Sequence, residues 1–290
     1  HEMAGVVRVA RTQLQDAVLT TMGRQMSAYA EAFTRDRWRV YKCEERLRVV
    51  SLGGTAVGTG LGAPRAYIFR VVDELKAITG IGLSRSENLV DAVQNADVFV
   101  EVSGILDACA VNLVKCGNDL RLLASGPEAG LGELILPARQ AGSSIMPGKV
   151  NPVVPETAVQ AGMAVNANHQ AVVHAAGHGN LELNAFLPLV ADRLLDSLEL
   201  LTRACDLLAR RCVKDMRVNE VRCRELVDAS TATLTALAGR IGYAEAEAIA
   251  EARRRTGSTV RACVLERGLM SEAEYDAVTA PEGVLQLGGE

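Results

Sequence analysis

One fifteen-residue stretch concentrates the residue types that can do chemistry: Gly142-Ser143-Ser144-Ile145-Met146-Pro147-Gly148-Lys149-Val150-Asn151-Pro152-Val153-Val154-Pro155-Glu156. Glycines bracket a Ser-Ser pair, so the backbone can move or take positive φ at both ends. Pro147 and Pro152 stiffen what lies between and beyond. Lys149 and Asn151 stand two apart, so in an extended segment both side chains leave on one side. A cation and an amide together suit a carboxylate or a phosphate. Pro155 fits the first turn of a following helix, whose N-terminus adds anion-binding amides. The stretch is not a P-loop, because its first glycine lies one residue too far from the lysine and Val150 stands where Ser or Thr is needed. No Ser-His-Asp arrangement accompanies Ser143, so spacing alone nominates it only as a nucleophile.

The other candidates are weaker. His174 and His178, four apart, can share a helix face, but no carboxylate or cysteine joins them at a metal-binding spacing, so no metal site is expected. Seven cysteines, without a CxxC pair, read as reduced core residues of a cytosolic protein. Asn166, Asn168 and Gln170 suit hydrogen bonds inside a bundle. The Arg253–Arg255 run reads as a solvated face.

The elements that position the loop are helical. Half of the 290 residues are hydrophobic (49%), whereas aromatics make up 3%, so the core is built from Ala, Leu, Val and Met, which favours helices over a β-sandwich. From Val102 the apolar positions Leu106, Cys109, Leu113, Cys116, Leu120 and Leu123 recur in alternating steps of four and three. A second seam runs Leu194, Leu198, Leu201, Cys205, Leu208 and Cys212, and a shorter one Met22, Met26, Tyr29 and Phe33. Such seams predict long helices packed nearly parallel in a bundle. One helix of about 30 residues is expected between Asn88 and Ala124. Beyond about residue 225 shorter amphipathic pieces follow: Thr231–Ala238, Ala244–Arg255, Val260–Glu266 and Ser271–Thr279. The predicted organisation is a helical-bundle domain over residues 1–224 and a small helical domain over 225–290. A formal charge of −4 without a basic stripe argues against nucleic acid. No apolar run reaches the roughly 18 residues of a membrane span, and neither a charged n-region nor an apolar h-region opens the chain.

With these motifs in view, the sequence resembles the aspartase/fumarase superfamily. The loop matches the family's Gly-Ser-Ser-x-x-Pro-x-Lys-x-Asn signature. Leu52-Gly53-Gly54-Thr55-Ala56-Val57-Gly58-Thr59-Gly60, Arg11-Thr12-Gln13-Leu14-Gln15-Asp16-Ala17 and Leu181-Glu182-Leu183-Asn184 match further segments in the right order. Ile241-Gly242-Tyr243 sits where the family's C-terminal domain begins its helices. The chain departs from the pattern at Ala10 (usually Gly), at Asn168-His169 (Asn-Asp) and at Ala238-Gly239 (Asn-Pro). The N-terminal part of the family chain, with its Ser/Thr-Asn-Asp motif, is not in this sequence.

The resemblance implies an all-α homotetramer around a central helix bundle, with active sites shared between subunits. It implies a cytoplasmic lyase that cleaves a C–N or C–O bond beside a carboxylate of a small dicarboxylate or amino-acid substrate and releases fumarate. No organic cofactor is implied, and divalent-cation activation cannot be read from these residues. Carried over by position, Ser143 is the base for the Cβ proton. Lys149 and Asn151, helped by Thr12, hold the α-carboxylate, and Ser144 serves the doubly charged intermediate. Gln13, where class II fumarases carry His, and Val153-Val154-Pro155-Glu156 place the chain nearer the aspartases. Gln13 would lie beside the departing amine and accept a hydrogen bond from it. The alternatives are a class II fumarase, a lyase of another substituted succinate, and a truncated non-catalytic homologue.

Overall fold

A computed structural model describes residues 3–286. In chain order, β1 (Val7–Thr12) and β2 (Gln15–Thr21) precede α1 (Met22–Arg46) and β3 (Val49–Val50). Then come α2 (Arg65–Thr79), β4 (Ser84–Arg85), α3 (Leu89–Gln94), α4 (Asp97–Leu123) and β5 (Leu134–Ile135). The long helices α5 (Val153–Gly177) and α6 (Leu187–Arg211) follow, then β6 (Arg217–Val218) and α7 (Glu220–Ala229). The chain ends with α8 (Ala232–Ile241), α9 (Tyr243–Thr256), α10 (Val260–Glu266), α11 (Glu272–Thr279) and α12 (Pro281–Val284). The fold is mainly helical, as the composition predicts; the strands pair only two by two.

The chain divides into two compact units. One gathers the residues up to Ala30, Leu120–Ala138 and the residues from Asp215 onward; the other gathers Glu31–Asp119 and Arg139–Lys214. Of the residues 225–290 set apart in the sequence, those described, up to 286, therefore fall in one unit with the β1–β2 hairpin. The reason is packing: Val9 and Leu19 of the hairpin bury against Ala232, with Val7, Val227 and Val284 closing around them. The helices of this unit enclose a second cluster formed by Leu237, Ile249, Val260, Val264 and Tyr275. Short polar caps start them. Thr259 accepts from the Ala262 amide, and Ser271 forms a reciprocal capping box with Glu274. Leu237 is fully buried there, so Leu237→Ala should cost about 2–5 kcal/mol in chemical denaturation.

In the other unit the seam of α4 is buried as its spacing predicts: Val102, Leu106, Cys109, Leu113 and Cys116 all face inward, and Leu120 and Leu123 are buried further along the helix. Close approach to α5 depends on small residues. A Cβ on Gly117 would meet Val159 Cγ2 at 2.8 Å, and one on Gly162 would meet Val114 Cγ2 at 2.5 Å. Polar contacts fix the register: Ser103 Oγ lies 2.9 Å from His169 Nδ1, and Asn168 donates to Asp196 and Ser197. Asn168 is thus an interior hydrogen-bonding residue.

Two expectations are corrected. The helix expected from Asn88 to Ala124 is two helices, because Asn95 is extended and bonds back to Asp91 through both its backbone N–H and its side-chain amide. The seam of α6 turns at its middle: Leu198 is 42% exposed while its neighbour Ser197 is buried with Asn168. Pro155 lies in the first turn of α5, as expected: the helix starts at Val153, so Pro155 sits third, where its missing N–H is one that would lack an intrahelical partner anyway.

All seven cysteines are free, and six are buried. Burial pushes Cys116 up to about 12 and Cys212 to about 11, so both are protonated thiols at neutral pH. The single tryptophan, Trp38 on α1, is 60% exposed and stacks edge-on against Tyr41 at 6.2 Å.

Candidate active site

The loop before α5 is built from two nested turns. Pro147 and Gly148 occupy the centre of a tight turn closed by the Lys149 N–H donating to the Met146 carbonyl at 3.2 Å. Gly148 has φ +80°, which a proline-then-glycine type II turn requires. The Ser143 N–H donates to the Lys149 carbonyl at 3.0 Å and ties the ends together. Inside this frame the Ser143 hydroxyl oxygen accepts two backbone N–H groups, from Ile145 at 3.2 Å and from Met146 at 3.0 Å. Two amides aimed at one oxygen favour its anionic form. No residue pattern around Ser143 indicates this arrangement, which depends on how the turn folds.

The other loop residues lie open. Ser144 and Lys149 are exposed, and Asn151 and Ser143 are half-buried. The side chains of Lys149 and Asn151 make no hydrogen bond or ion pair with any described residue. Ile145 is 85% exposed, so the tip of the loop projects into solvent. A lysine ammonium, an amide and two hydroxyls within nine residues form a donor set for an anionic group.

Thr12 and Gln13 belong to the other compact unit. They sit at the tip of the β1–β2 hairpin, where Thr12 pairs with Gln15 and leaves Gln13 and Leu14 as a two-residue connection. Both have positive φ, +53° and +63°. This is the arrangement of a type I′ turn, here made without glycine or asparagine. Thr12 and Gln13 are exposed. Beneath them, two residues that carry no motif form a buried ion-pair cluster with Arg11. Glu133 accepts from Arg8 Nε at 2.8 Å and from Arg11 Nη1 at 2.7 Å. Sequence reasoning missed Arg8 and Glu133, because Glu133 lies 122 residues from Arg11 with no periodicity linking them.

His174 and His178 are adjacent on α5 and in the residue that ends it, with His178 Nδ1 2.7 Å from the His174 carbonyl. Among the described residues, no group of three His, Cys, Asp or Glu side chains is placed to hold a metal ion. Among the described residues, no helix is long and apolar enough to cross a membrane.

This mainly helical chain carries a Gly-Ser-Ser turn tied back to Lys149 and a hairpin tip with positive φ at Gln13 and Leu14. It belongs to the aspartase/fumarase superfamily: the family model described as lyase matches residues 1–167, and the fumarase C C-terminus model matches residues 234–286. The chain is 44% identical to an aspartate ammonia-lyase of Pseudomonas canavaninivorans over 98% of its length, which is 60% of that relative. It is 42% identical to a class II fumarate hydratase of Mycobacterium tuberculosis (strain CDC 1551 / Oshkosh), over 92% of this chain and 56% of that one. A crystal structure of a fumarate lyase:delta crystallin from Brucella melitensis bound to cobalt superposes with a TM-score of 0.92 at 43% identity. The match covers 98% of this chain and 62% of that one. The chain therefore spans about three fifths of the length of these relatives.

Proposed function

We propose that the protein eliminates ammonia from L-aspartate to give fumarate, with Ser143 as the base. The observation that carries this reading is the pair of backbone amides on the Ser143 oxygen, 3.2 and 3.0 Å away. A proton next to a carboxylate is weakly acidic, so its removal needs a strong base and preorganised donors around the charge that forms. The amides of Ile145 and Met146 stabilise an ionised Ser143 in advance. That oxygen takes the Cβ proton and the electron pair passes into an enediolate, which collapses to the Cα–Cβ double bond as the C–N bond breaks. The nitrogen leaves with its electron pair.

Lys149 and Asn151 hold the α-carboxylate, with Thr12 helping. Ser144 donates toward the doubly charged intermediate, and Gln13 accepts a hydrogen bond from the departing nitrogen. Loop closure over the substrate would exclude water and strengthen each of these interactions. None of the steps uses an organic cofactor.

The resemblance to the superfamily implies a homotetramer with active sites shared between subunits. Self-association is also supported by apolar residues left open on the long helices: Val111, Met163, Leu195 and Leu198. A cytoplasmic location accords with the reduced cysteines.

The deciding experiment follows fumarate by its ultraviolet absorbance after addition of L-aspartate or L-malate. Fumarate from aspartate alone is the expected result. Fumarate from malate alone would make the protein a C–O lyase, the reading that the Mycobacterium relative favours. No fumarate from either would leave a lyase of another substituted succinate or a non-catalytic homologue.

A further inference from the structure

The two-residue turn that carries Gln13 is strained and exposed. Positive φ at Gln13 and Leu14 is a conformation that side chains with a Cβ enter at a cost of roughly 1–2 kcal/mol each. Such a conformation persists only where its surroundings over-determine it. The tip contributes little to this, since Leu14 is 70% exposed. The constraint lies at the base of the turn.

There, Arg11 and Asp16 face each other as register partners, one pair below Thr12 and Gln15. Both are tied elsewhere. Arg11 Nη1 donates to Glu133 Oε1 at 2.7 Å and to the Val9 carbonyl at 3.2 Å, while its Nε lies 3.8 Å from Asp16 Oδ1. Asp16 Oδ2 accepts the Ser230 hydroxyl at 2.7 Å, and the Ser230 oxygen in turn accepts the Ala232 N–H at 3.0 Å. Both strand ends are thus pinned to residues outside the hairpin.

Glu133 is the fixed point. Its side chain is fully buried and binds two guanidiniums, Arg8 (5% exposed) and Arg11 (12%). Its own N–H donates to the Leu123 carbonyl at 2.8 Å, and its carbonyl accepts the Asn219 N–H at 2.9 Å. Residues 8 and 11 of a regular strand point to opposite faces. Here both reach one carboxylate, beside a bulge in which Ala17 and Val18 stand across from Ala10 and add local twist.

We infer that Glu133, acting through Arg11, is a positioning residue that holds Thr12 and Gln13 in the geometry that receives substrate. The substrate part of this inference rests on the reading under Proposed function; the positioning part does not. A buried carboxylate with two arginines exceeds what stability alone asks for, since an apolar cluster of the same volume would do as well or better. Its effect is to fix direction.

The test compares wild type with Glu133→Gln and Arg11→Met. The second variant leaves the Arg8–Glu133 pair intact and removes only the link to the turn, so it decides the matter if Glu133→Gln does not fold. In hydrogen exchange read by mass spectrometry, residues 11–16 should exchange about tenfold faster, with α8–α10 unchanged. In steady-state kinetics, KM for L-aspartate should rise about tenfold with kcat within about threefold, as expected when binding is lost equally from ground and transition states. A lower melting temperature with unchanged exchange at 11–16 and unchanged KM would overturn the inference and leave Glu133 a structural residue. If wild type releases no fumarate from aspartate, the functional reading falls by itself and the exchange measurement decides the positioning role.

Discussion

Ser143→Ala lowers the rate of fumarate release from L-aspartate by about 10³-fold, within the 10²–10⁴ range of a positioned general base. The substitution removes the only atom that the Ile145 and Met146 amides address inside the loop. Ser144→Ala, by contrast, removes one donor from an exposed residue and should cost about tenfold. Both variants keep the fold, because the loop is closed by backbone bonds between Ser143 and Lys149 and between Lys149 and Met146, which a Cβ does not disturb. Circular dichroism of each variant checks this, and fumarate absorbance reads the rate. Full activity in Ser143→Ala would move the base to another residue.

Gly58→Ala should destabilise the protein by roughly 2–5 kcal/mol, combining strain at positive φ with overpacking. Gly58 has φ +80°, and a Cβ there would lie 2.3 Å from Val90 Cα, 2.4 Å from Val90 N and 2.5 Å from Leu89 C. These are backbone atoms at the start of α3, so no side chain can swing away. Relief requires moving α3 or the glycine-rich loop itself. The shift in the denaturant midpoint measures the effect, and a change below about 0.5 kcal/mol would show that the loop can retreat from α3 at little cost.

Where a single element decides its own structure, the sequence was a sufficient guide. The limits of α10, Val260–Glu266, follow from a threonine cap and a short apolar run, and the seven seam positions from Val102 to Leu123 are all buried. The break at Asn95 was missed because hydrophobic spacing continues across it; only the side chain's bond to Asp91 shows that it competes with the helix. The site divides in the same way. In the candidate site, Ser143, Ser144, Lys149 and Asn151 stand out in the sequence because one loop carries them all. The amide pair on Ser143 was not legible, since it depends on how the backbone folds between residues 143 and 149. Glu133 was less legible still, because a buried carboxylate far along the chain leaves no trace near Arg11.

Trp38 has a practical consequence. A lone indole on the surface of α1, 60% exposed, already emits from a largely aqueous setting. Unfolding will change the colour of that emission little, and intrinsic fluorescence will be a poor thermometer for this fold. The same exposure makes it a good sensor of company. Any molecule that settles over Trp38 and Tyr41 will shift the emission to the blue without altering the helix content.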